Sequence, residues 1–81
     1  MPGLEIEKRI RQVFERVLEI EPERVAPEAR LTEDLGADSL DVFRLVLAVE
    51  EEFGTAITDE EAEGFRTVGA LLNWVATYAP A

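Results

Sequence analysis

The chain of 81 residues holds 18 acids against 8 bases, a net charge of -10, with 47% hydrophobic residues and neither cysteine nor histidine. That length and apolar content supply a single small core and therefore one domain, residues 1–81. Without thiol or imidazole there is no disulfide framework, no thiolate or imidazole nucleophile–base pair and no usual zinc ligand set, so neither a self-sufficient enzyme nor a metal site is expected.

From Leu4 to Leu18 the apolar residues Ile6, Ile10, Val13, Phe14 and Val17 recur at three- and four-residue steps, the pattern of one amphipathic helix. Pro22 and Pro27 then forbid a continuous helix, and residues 19–38 read as a long loop ordered by Val25, Leu31 and Leu35. A second helix is predicted from Ser39 to Phe53, stopped by Gly54. A short helical turn follows at Asp59 to Glu63. Thr67 can cap a last helix whose buried stripe is Val68, Leu71, Leu72 and Val75, with Trp74 and Tyr78 completing the core. No alternating strand pattern appears, and the expected fold is all-α: a small four-helix bundle with a long first loop and a short third helix. No apolar run is long enough to span a bilayer and no basic-then-apolar leader opens the sequence, which predicts a soluble cytoplasmic monomer without membrane insertion.

Charge is unevenly placed. Residues 33–63 carry eleven acids against Arg44 alone, so the net charge resides there. Such a field repels nucleic acid and steers in proteins with basic patches, although an acidic surface also serves solubility by itself. Within it lies the stretch "EDLGADSLDVF". Asp38 can cap the second helix, with Asp41 as the reciprocal acid of a capping box. Ser39 is then released from capping. Its hydroxyl falls in the first turn, where the helix dipole favours an attached phosphate. As a catalytic nucleophile it would need a base and an oxyanion hole, and histidine is absent. At 100 degrees per residue, Asp41, Arg44, Ala48, Glu51 and Glu52 share one arc of this helix, while the remainder is apolar over a breadth that one core does not require. The excess is either a surface for a partner or hydrophobic chain, or the sign of a central helix packed on several sides.

"LGADSL", followed by "LVLAVEEEF" and "ITDEEAE", closely resembles the acyl carrier proteins of bacterial type II fatty acid synthesis, over nearly the whole chain. The resemblance implies a four-helix bundle in which Ser39 carries 4'-phosphopantetheine, whose terminal thiol holds acyl chains as thioesters; the missing cysteine is thereby replaced. It implies that Asp38 and Leu40 flank the attachment site and that Asp38 assists a phosphopantetheinyl transferase. It implies further that Asp41, Glu50, Glu51, Asp59, Glu60 and Glu63, with Arg44 among them, meet basic docking patches of fatty acid synthesis enzymes. An acyl cleft would be lined by Val46, Val49, Ile57, Ala62 and Phe65, residues that equally suit an ordinary core. Arg44 stands where the family usually has glutamate, and Phe65 where a smaller aliphatic residue is usual. Both leave open a carrier dedicated to a side pathway, for polyketide, specialised lipid or aminoacyl transfer. A plain acidic interaction domain is the remaining rival; a calcium-binding loop fails on ligand spacing and a glycosidase on chain length.

Overall fold

The computed structural model describes residues 2–79. Helix α1 runs Pro2–Leu18, two residues earlier than its apolar periodicity begins, because proline is well suited to a first helical turn. A 3-10 turn, Pro22–Arg24, interrupts the following loop. Then come α2 at Ser39–Phe53, α3 at Asp59–Glu63 and α4 at Val68–Tyr78. Helix α2 ends at Gly54, whose φ of 61° is the left-handed conformation that terminates a helix without a Cβ penalty. Thr67 caps α4 by accepting from the Ala70 N–H.

The core is built where α1 meets α2 and α4: Ile10, Val13 and Phe14 face Leu45 and Val49 of α2 and Leu71 and Val75 of α4, all buried. The loop between α1 and α2 is ordered, as its apolar residues predict. Val25, Leu31, Leu35 and Ala37 are buried, and backbone bonds from Leu31 N–H to Arg66, from Val68 N–H to Ala29 and from Gly69 N–H to Pro27 stitch it to the start of α4. An isolated antiparallel bridge, Arg30 with Thr67, marks this seam. Two expectations for α4 need correction. Tyr78 is 63% exposed, since it lies beyond the last buried turn and leans on Trp74, ring planes tilted by 44°, rather than entering the core. Leu72 is only partly buried, being turned toward a groove between α1 and α4.

Candidate functional site

The start of α2 is set by Asp38. Its carboxylate accepts the Asp41 N–H at 2.9 Å, and the Asp41 carboxylate accepts the Asp38 N–H at 3.2 Å, so the capping box is closed. The cap makes no use of Ser39, which occupies the first helical position and is exposed, with Leu40 beside it 65% exposed. A primary hydroxyl there is open to a modifying enzyme, and the N-terminal end of a 15-residue helix favours the negative charge of a phosphodiester. Arg44 contributes to the same balance. Its guanidinium stands 3.8 Å from the Asp41 carboxylate and offsets one of the two acids flanking the serine. The residues present therefore fit a phosphate-linked prosthetic group at Ser39.

The breadth of apolar surface on α2 divides in two. Leu45, Val49 and Phe53 are buried, with Val42, Val46 and Ala48 packed beside them, whereas Leu40, Phe43 and Leu47 lie on the opposite side of the helix and are 65%, 52% and 48% exposed. Sequence periodicity signalled the excess without saying which residues formed it. The polar arc is likewise narrower than its spacing suggests. Ala48 joins the core packing, and Glu52 is drawn to α1, where Arg9 donates to its carboxylate at 3.0 Å and to its carbonyl at 2.6 Å while stacking on Phe53 at 4.4 Å.

Of the acids expected to meet partners, Glu51, Asp59, Glu60 and Glu63 are exposed, and no described cation pairs with them. Asp41 is half-buried and shared between the cap and Arg44. Glu50 is half-buried and has a structural task as well: its carboxylate accepts the Ile57 N–H at 2.8 Å and so closes the turn from α2 to α3. The local charge is also less one-sided than a count by segment implies, because Arg9 and Arg30, both from outside residues 33–63, reach Glu52 and Asp34.

The five residues expected to line an acyl cleft all belong to the packed apolar interior. Val49 is fully buried, Ile57 and Phe65, which flank α3 in the chain, are buried, and Val46 and Ala62 are partly buried against the core. An open groove lies beyond Phe65. It has a volume of about 260 Å³ between α3 and α4 and is walled by Phe65, Trp74 and Tyr78, with Glu61 and Asn73 at its rim. Glu61 is a residue that sequence reasoning missed, although the spacing Thr58 to Glu61 is itself a capping-box signal. One carboxylate oxygen accepts from the Thr58 N–H and hydroxyl, each at 3.0 Å, and the other accepts from the Trp74 indole at 2.8 Å. The Thr58 N–H first, and the indole next, hold this carboxyl below the usual glutamate range.

The family model for the phosphopantetheine attachment site matches residues 8–75 of the chain. The chain belongs to the acyl carrier protein family. It is 46% identical over 71 residues to an acyl carrier protein of Thermosynechococcus vestitus, covering 88% of each chain. Among solved structures it resembles a protein described as an acyl carrier protein from Mycobacterium tuberculosis, with a TM-score of 0.84 and 33% identity, over 89% of this chain and 96% of that one. The carrier's prosthetic group is 4'-phosphopantetheine, and its role is that of an acyl carrier. Among the described residues no helix is long and apolar enough to cross a membrane.

Proposed function

We propose that Ser39 is the attachment point of the phosphopantetheine arm and that α2 and α3 present the loaded arm to fatty acid synthesis enzymes in the cytoplasm. The observation that carries this reading is the Asp38–Asp41 capping box, which makes the helix end without spending the Ser39 hydroxyl. The arm supplies a terminal thiol on which acyl groups are held as thioesters. The chain's own residues do the rest. Asp38 and Leu40 frame the hydroxyl for a phosphopantetheinyl transferase. Asp41, Glu51, Asp59, Glu60 and Glu63 steer basic patches, and the exposed Leu40, Phe43 and Leu47 offer the apolar area that a docked partner dehydrates. Glu50 acts from behind this face by fixing the turn that positions α3. Val46, Val49, Ile57, Ala62 and Phe65 are the apolar lining available to an acyl chain.

A second reading is favoured by Arg44, a positive charge 56% exposed in an otherwise acidic face, and by the bulk of Phe65. Both fit a carrier with a dedicated partner set, in polyketide, specialised lipid or aminoacyl transfer, since a cation in the face repels a basic patch. Incubation with coenzyme A and a phosphopantetheinyl transferase, followed by intact-mass measurement, tests the main proposal. The protein is expected to gain one phosphopantetheine and Ser39→Ala none. No gain in the native protein, or a gain that persists in Ser39→Ala, overturns it.

A further inference from the structure

Val49, Ile57 and Phe65 are buried, so an acyl chain that enters among them must displace packed side chains. Helix α3 is the piece least tied down. It has five residues, none of them buried, whereas α1, α2 and α4 meet through fully buried side chains. Glu50 of α2 anchors Ile57 just ahead of it, and among the described side-chain hydrogen bonds of its own five residues only that of Glu61 reaches another helix. The two oxygens of that carboxylate have separate tasks: Oε1 closes the capping box within α3 itself, and Oε2 alone reaches across to the Trp74 indole on α4. Breaking the second bond leaves the first intact, so α3 can swing as a formed unit rather than unravel. Space for the accompanying shift exists beside Phe65, whose ring meets Trp74 edge-on at 6.2 Å and borders the open groove between α3 and α4.

We propose that the Glu61–Trp74 hydrogen bond is a latch that holds α3 shut over Phe65, and that Trp74 is a specificity-determining residue: chains too short to reach Phe65 leave the latch closed, and long aliphatic chains must open it. This inference rests on the carrier reading above and adds to it a threshold in chain length set by this chain's own residues. Threshold behaviour follows from packing. An interior at crystal-like density yields in discrete rearrangements rather than by gradual swelling, so a growing chain finds the closed site until its interactions outweigh the latch.

Trp74 is the sole tryptophan, so its indole N–H gives one isolated signal in a proton–nitrogen NMR spectrum. After loading is verified by mass, that signal is compared in the apo protein and in proteins bearing phosphopantetheine, a butanoyl arm and a hexadecanoyl arm. It is expected to stay in place for the first three and to move upfield with loss of the carboxylate partner for the fourth. An indole signal unmoved by the hexadecanoyl chain, or already moved by the butanoyl one, overturns the latch as a length discriminator. Trp74→Phe keeps an aromatic ring and removes the donor. Amide exchange at Ala62 and Phe65 in the unmodified variant is expected to be about tenfold faster than in the native protein, with exchange at Ile10 and Val13 unchanged. Equal exchange at Ala62 and Phe65 overturns the latch, and equally faster exchange throughout marks a general loss of stability and overturns it too. No gain of mass on incubation with the transferase overturns the carrier reading and the length threshold together. The exchange comparison uses unmodified protein, so it still decides whether Trp74 fastens α3.

Discussion

Single residues here take on work that their type alone does not announce. Asp34 holds the loop before α2 by accepting from the Arg30 N–H at 2.8 Å and from its guanidinium at 3.1 and 3.2 Å, while its own carbonyl accepts from Arg24. The Arg30 side chain chiefly, and its backbone N–H next, hold the Asp34 carboxyl below its ordinary value. A carboxyl whose pKa is lowered by folding contributes stability that is present above its unfolded pKa and lost as pH falls through the folded one. Arg30 is shifted the other way, from an already high value, and stays charged throughout this range. The melting temperature of the native protein is therefore expected to exceed that of Asp34→Asn by a constant margin above about pH 5, and the margin should close as pH falls below about 4. Thermal melts of the two proteins across that range check it; a margin that widens on acidification contradicts the assignment.

At the scale of elements, α4 is docked by a close approach that only glycine allows. The Gly69 N–H donates to the Pro27 carbonyl at 2.8 Å, and a Cβ at position 69 would stand 2.9 Å from that same oxygen. Two effects compete in Gly69→Ala. Alanine is favoured over glycine by about 1 kcal/mol in a helix interior and by less in the first turn, where Gly69 lies, whereas forcing backbone apart in packed structure costs about 1 to 3 kcal/mol. Here the obstacle is main chain and cannot rotate away, so the second effect is expected to win, with a net loss of about 1 kcal/mol measured by chemical denaturation. The site at Ser39 shares this dependence, because the loop stitched to α4 delivers Asp38 to the start of α2.

For the whole molecule, the balance of charge matters more than any single pair. The ion pairs of the described residues involve Arg9, Arg11, Arg30 and Arg44, all at least partly exposed, and such pairs contribute little individually. Against them stand Glu51, Asp59, Glu60 and Glu63, without described cations, in a chain of net charge -10. The acidity of α2 and α3 thus opposes compaction through self-repulsion. Raising sodium chloride from low to physiological ionic strength, where the screening length falls to about 8 Å, is expected to raise the melting temperature by a few degrees. A melting temperature that falls over this interval would mean that the arginine pairs outweigh the repulsion.

What the sequence determined by itself was local. The period of apolar residues placed α1, α2 and α4, Gly54 ended α2, and the spacing from Asp38 to Asp41 announced the cap that sets Ser39 apart. Each of those signals is complete within a turn or two of chain, where backbone geometry alone brings the partners together. Tertiary structure decided whatever depends on meeting a distant segment. Arg9 and Glu52 are 43 residues apart, Trp74 and Glu61 are 13 apart, and Glu50 accepts from Ile57 seven residues away. Which half of the apolar surface of α2 is core, and which half stands exposed beside Ser39, was equally beyond periodicity, because burial is settled by where the other helices lie.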